Sequence, residues 1–287
     1  MRYKLLAILL SFAVAAPAQK FLGVFYLHNN PEPVVQSVTR YNKATKSRER
    51  VYINKDYCSC MVVRKGARYY NVIPGENIIE SRPMRSQAME GNYAATEYRS
   101  YRGIFPKKEP KAGLYAMPLA QGEKVVVDPN IIHFKGSERE ENYLSFLVQN
   151  NDTIYAMRGG TACLTGNEKG VVINHTDETF AVYYHMRRAF VKPGEVVEVG
   201  QPVGLASEGK VYVGFVYLDE KYFKQKEVAV EYPYTHFVPQ IWDGTQYVRY
   251  EKVTYVAVPA PALTDELVTQ DMTKFQKKRY LKNKPRK

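Results

Sequence analysis

Residues 171–218 read VVINHTDETFAVYYHMRRAFVKPGEVVEVGQPVGLASEGKVYVGFVYL, and this stretch decides the fold. Apolar runs flank the turn Asn174-His175-Thr176-Asp177, which closes a hairpin. A second hairpin follows over Val191–Gly204, where Gly194, Gly200 and Gly204 allow tight turns with positive φ. The apolar run Val211–Leu218 then reads as the last strand of the unit. Such a pattern specifies an architecture well and an activity poorly.

Taken in order, the segments run strand, hairpin, Tyr183-Tyr184-His185, then Val191-Lys192-Pro193-Gly194, Val199-Gly200-Gln201-Pro202-Val203-Gly204, and a final strand. This order resembles the core of the lysostaphin/LytM-type zinc endopeptidases, which cleave peptide cross-links of the bacterial cell wall. The likeness can be followed from Leu114 to Leu218. It implies a mainly β protein containing a LytM-type barrel-sandwich domain, the duplicated hybrid motif. Comparable hairpins occur in biotinyl and lipoyl carrier barrels, but the Met-Lys-Met-like turn of a swinging arm is missing.

Peptide hydrolysis by that family's route needs zinc held by three protein ligands, with a fourth position open for water. The resemblance takes the ligands from a His-x-x-x-Asp motif and from the second His of a His-x-His. The first His of that pair and the His of Tyr-x-His handle the proton and the developing oxyanion. The run from Glu141 to Ala156 aligns with the first motif without a gap, anchored by Ile154-Tyr155-Ala156. That alignment puts Glu141 where the ligand His stands and Ser145 where the ligand Asp stands. Aligning Gly214–Leu218 with the family's final strand puts Val213 at the metal position and Val211 at the base position. Glutamate binds zinc, neutral serine is a poor substitute, and valine neither coordinates a metal nor accepts a proton.

The histidines give an argument free of alignment. They are His28, His133, His175, His185 and His236; no two stand two apart, and none has Asp four residues later. The expectation is therefore a lost zinc site, no cofactor and no catalytic residue. His185 keeps the Tyr-x-His position, and Tyr183, His185 and Tyr212 are candidates to line the former groove as a binding surface. A rebuilt site from His133, Glu141 and His185 is the alternative constellation. Ser145 and Ser207 lack a Gly-x-Ser-x-Gly context, and Cys163 lies in an apolar strand, where burial keeps a thiol inert.

The N-terminus reads as a secretory leader over residues 1–18: Arg2 and Lys4, the apolar Leu5–Ala15, then Ala16-Pro17-Ala18. Its apolar run is short of the ~20 residues of a membrane span, and charges interrupt every later one. The expected location is the periplasm or outside the cell. Three cysteines, Cys58, Cys60 and Cys163, leave at least one thiol outside any intrachain disulfide. Cys58-x-Cys60 is closer than the usual metal knuckle, and buried or surface thiols in strands are the simpler reading.

The net charge is +12, but Lys274, Lys277, Lys278, Arg279, Lys282, Lys284, Arg286 and Lys287 concentrate much of it in an acid-free tail. That distribution argues against nucleic acid for an exported chain. It points either to an anionic envelope surface or to a solvated, irregular or frayed-helical terminus. Twenty-four tyrosines and abundant valine favour β structure. The expected division is a leader (1–18), a β-rich domain (19–112), the LytM-type domain (113–222), a β extension (223–263) and the basic tail (264–287). Strands are expected at Arg50–Asn54, Cys60–Arg64, Ala67–Ile73, Lys124–Asp128, Glu227–Tyr232 and Tyr247–Val258. A short helix is expected over Thr264–Gln270, with Thr264 as N-cap. Degenerate members of the resembled family act as non-enzymatic envelope factors, so the expected partner is peptidoglycan or a cell-wall hydrolase. An active zinc endopeptidase with a rebuilt site, and a structural subunit of an envelope assembly, are the other readings.

Overall fold

The computed structural model describes residues 34–64, 68–83, 98–107, 110, 113–133, 140–163, 165, 169–223, 232–251 and 256–284. The leader over 1–18 lies outside them, as does most of the strand expected at Glu227–Tyr232. Among the described residues no helix is long and apolar enough to cross a membrane. The N-terminal part folds as β1 (Val35–Asn42), β2 (Ser47–Asn54), β3 (Cys60–Arg64), β4 (Arg68–Val72), β5 (Gly75–Pro83) and β6 (Tyr98–Arg102). These form two three-stranded sheets, ordered β1-β2-β5 and β4-β3-β6. Val35, Tyr52, Cys60, Val62 and Val72 make the core between them.

The chain continues through β7 (Leu114–Tyr115), β8 (Lys124–His133), β9 (Glu140–Leu147), β10 (Thr153–Tyr155), β11 (Gly160–Ala162), β12 (Val171–Asn174) and β13 (Thr179–Tyr184). Then come β14 (Met186–Ala189), β15 (Val196–Val197), β16 (Pro202–Ala206), β17 (Lys210–Leu218), β18 (Tyr234–His236), β19 (Gln240–Trp242), β20 (Tyr247–Val248) and β21 (Val256–Pro259). The large sheet runs β15-β11-β12-β13-β17-β9-β8-β21, with β18 also on β17. β9 and β18 share one edge of β17 in succession, β9 along Lys210–Gly214 and β18 along Val216–Leu218.

The sequence of β13 explains why it sits at the centre. All six of its residues are buried, so it reads as a continuous apolar run rather than an alternating one. Ala181 and Tyr183 face a core shared with Phe215, Ile154, Met186 and Val203. The small sheet β10-β16-β14 supplies part of that layer. Phe180, Val182 and Tyr184 face the other way, onto Met61 and Val63 of β3, Tyr101 of β6, and Phe223. The N-terminal strands therefore cap the second face of the large sheet.

The C-terminal segment is tied back onto this frame. The alternating run Tyr247–Val258 is not one strand: Tyr247–Val248 pairs with β19, whereas Val256–Pro259 pairs with β8 at the edge of the large sheet. Each half follows its own partner. The short helix forms at Asp265–Thr269, and the Thr264 hydroxyl accepts from Leu267 N at 3.2 Å, as the sequence predicts. The basic tail is more ordered than an irregular terminus. It forms a helix over Lys274–Asn283, because Thr273 and Gln276 close a capping box at its start.

Candidate functional site

Ligands of one metal ion on a sheet must share a face, so strand register decides which positions count. β9 and β17 are antiparallel, with Ser145 opposite Tyr212, Leu144 opposite Val213 and Phe146 opposite Val211. Val211 and Val213, both 0% exposed, point into the core with Leu144 and Phe146. Ser145 looks out of the opposite face, so the structure does not bring it together with the two valines. The residues of β17 on Ser145's face are Tyr212 and Gly214. Ser145 and the two valines therefore do not share a face, as ligands of one ion on this sheet would have to. Glu141 stands in β9 opposite Ile132.

An aromatic cluster occupies that face. The Tyr184 and Tyr212 rings stack with centroids 5.0 Å apart and an interplanar angle of 9°. Tyr143 meets Tyr184 edge-on at 5.0 Å and His236 at 5.2 Å. The Tyr232 hydroxyl and His236 Nε2 are 3.0 Å apart. Gly214 makes room for this packing: a Cβ there would stand 2.8 Å from the Tyr143 ring. Lys210 extends over the Tyr212 ring at 5.8 Å. Of these residues, sequence reasoning reached Tyr184 and Tyr212 but missed Tyr143, Gly214 and His236. The available signal was Tyr143 itself, two residues before Ser145 and hence on its face.

His185 borders the cluster, its ring edge-on to Tyr212 at 5.7 Å. It follows β13 directly in a left-handed conformation, φ 63°, and is a third exposed. Its buried Nε2 has no hydrogen-bond partner; the nearest carboxylate, Glu208 Oε2, is 3.6 Å away. Tyr183 does not join it. Strand alternation sends Tyr183 into the opposite core, where its hydroxyl accepts from Met157 N at 2.8 Å and burial pushes its acidity down. Of the three groove candidates, His185 and Tyr212 are together and Tyr183 is apart.

The family model for Peptidase family M23 matches residues 141–216, the span from the Glu141 position in β9 to Val216 in β17. These residues form an M23 domain. A solved structure titled as a novel M23 metalloprotease, pseudoalterin, from the deep sea is 14% identical; the likeness covers 51% of this chain and 100% of that one, with TM-score 0.33. Helicobacter pylori Csd3 in a hexagonal crystal is 16% identical over 60% of this chain and 45% of that one, with TM-score 0.28. Its orthorhombic form is 11% identical over 86% and 82%, with TM-score 0.29. No curated protein matches the chain.

On the far side of the M23 domain, the β12–β13 turn is built around a buried ion-pair network. Arg158 donates to Asp271 Oδ2 and Oδ1 at 2.9 and 2.6 Å, and to Asp177 Oδ2 at 2.9 Å. His175 Nδ1 lies 2.7 Å from the Gly159 carbonyl, so the neutral ring carries its proton on Nδ1. Burial, helped by the Arg158 charge, lowers the His175 pKa to about 4. This histidine is a structural group of the turn. Among the described residues, one group of three metal-type donors lies close together: Asp56, Cys58 and Cys60, in the N-terminal part and away from His185.

Proposed function

We propose that this protein is an exported, non-catalytic M23-domain protein that acts as a binding or regulatory factor in the cell envelope. Its target is peptidoglycan or a hydrolase that works on it. The observation that carries this reading is the face shared by Ser145, Tyr212 and Gly214. Around Ser145, the position aligned with the ligand Asp, it offers a hydroxyl, a phenol and a hydrogen atom and no carboxylate. Tyr143 fills the space over Gly214, so the family's zinc does not fit this donor set. His185 Nε2 has no hydrogen-bonded acid to orient it, with Glu208 Oε2 at 3.6 Å. What the face retains is stacked tyrosine, a histidine and the Lys210 cation, a surface suited to sugar rings and peptide rather than to bond cleavage.

The test is to incubate untagged residues 19–287, with zinc supplied, with purified cell-wall sacculi. Pelleting and soluble fragments are measured together. Co-sedimentation without release of fragments supports the reading. Release of cross-link fragments that disappears in His185→Ala overturns it and makes the chain an active endopeptidase.

A further inference from the structure

The tail helix, Lys274–Asn283, departs from the usual pattern of a surface helix, which lays an apolar stripe on the core and turns its charges to water. No residue of this helix is buried, and both of its large apolar side chains face outward, Phe275 at 76% exposed and Leu281 at 48%. The helix forms on local signals, the Thr273–Gln276 capping box and a run of good helix formers. Two contacts with one carboxylate fix which side it turns to the chain. The Tyr280 hydroxyl donates to Asp265 Oδ1 at 3.3 Å, and Lys284 Nζ pairs with the same oxygen.

That tether determines the outward face. At about 100° per residue, Lys278 and Lys282 stand roughly 160° from Tyr280 around the helix axis, and Phe275 roughly 140°. Lys274 and Arg279 flank them, whereas the uncharged Gln276 and Asn283 share the tethered side. The outward face is thus one aromatic ring framed by four cations, with no acidic residue anywhere in the helix. Among the described residues, none of Lys274, Lys277, Lys278, Arg279 and Lys282 has an ion-pair partner.

We propose that this face seats the protein on an anionic phospholipid surface, with Phe275 entering at headgroup level and Lys274, Lys278, Arg279 and Lys282 against the lipid phosphates. Charge alone would serve any polyanion, a wall polymer included. The ring decides for lipid. An aromatic side chain in the middle of a cationic face gains by leaving water for the headgroup boundary, and a hydrated polymer gives it no such boundary to enter. One ring and a few cations make the contact weak and reversible. Asp271, three residues before the helix, is held by Arg158 beside the turn that opens β13. His185 follows the other end of that strand, about 20 Å along it. Lipid contact and the His185 face therefore do not compete, and the proposal stands apart from the function proposed above.

The test mixes untagged residues 19–287 with sedimentable vesicles, either phosphatidylcholine alone or phosphatidylcholine with phosphatidylglycerol, and in parallel with soluble polyphosphate. Binding to the anionic vesicles should be about tenfold or more tighter than to the neutral ones and should fall as salt is raised. Replacing Lys278 and Lys282 together by Gln should weaken binding to vesicles and polyphosphate alike, severalfold. Phe275→Ala should weaken vesicle binding by about tenfold and leave polyphosphate binding unchanged. None of these side chains is buried, so an unchanged melting temperature is expected for each variant. The idea is overturned if wild-type protein sediments equally with both kinds of vesicle or with neither, a reading that needs no variant. It is equally overturned if Phe275→Ala loses nothing on anionic vesicles, which makes the face a general polyanion binder.

Discussion

His175 should make the stability of this protein depend on pH in a way that one substitution removes. Its ring is buried, Nδ1 is committed to the Gly159 carbonyl, and Nε2 has no partner. A proton added at Nε2 would create a buried donor without an acceptor, beside the Arg158 guanidinium. Asp271 and Asp177 oppose this only in part, and the pKa falls from 6.5 to about 4. Between those values the unfolded chain takes up the proton and the folded one does not, so stability falls as pH falls through this window. The full effect is about 3 kcal/mol, complete below pH ~4 and absent above pH ~7. Chemical unfolding should be followed at a series of pH values for wild type and His175→Asn. Asp177 and the other carboxylates titrate in both proteins, so the difference between the curves isolates the imidazole. The wild-type advantage should shrink by about 3 kcal/mol between pH 7 and pH 4. Parallel curves would refute the argument.

Three further outcomes are expected. Gly214→Ala forces a methyl group against the buried Tyr143 ring and should cost about 1–3 kcal/mol, read as a lowered melting temperature. Arg158→Ala removes the partner of two carboxylates and should cost about 3 kcal/mol. Limited proteolysis should then cut first in the segment after Pro259, which Asp271 no longer anchors. Replacing Lys274, Lys277, Lys278 and Lys282 by Gln should weaken adsorption to anionic lipid vesicles by about tenfold or more at low salt. Adsorption to neutral vesicles should not change.

Much of the fold is legible in the sequence, because the M23 domain is built from local signals. The β12–β13 turn at Asn174–Asp177, the glycines at 194 and 200, and the Thr264 cap each act within a few residues. The tail helix had its own local sign, Thr273 followed three residues later by Gln276, but the density of lysine masked it. The site is less legible. Whether β17 presents Val211 and Val213 or Tyr212 and Gly214 to Ser145 depends on a single residue of register, and no feature inside the strand fixes it. The pairing with β9 does. The burial of Cys58 and Cys163 in one core cluster is hidden for a different reason: it arises only when two sheets pack, and spacing along the chain carries no trace of that.

The pairing of β21 with β8 bears on how the protein is made. The outer edge of the large sheet is closed by residues 256–259, and Arg158 waits for Asp271, which leaves the ribosome later still. Until then β8 presents a row of unpaired backbone groups to its surroundings. A growing or truncated chain that lacks residues 256–259 is thus a template for strand addition by another copy.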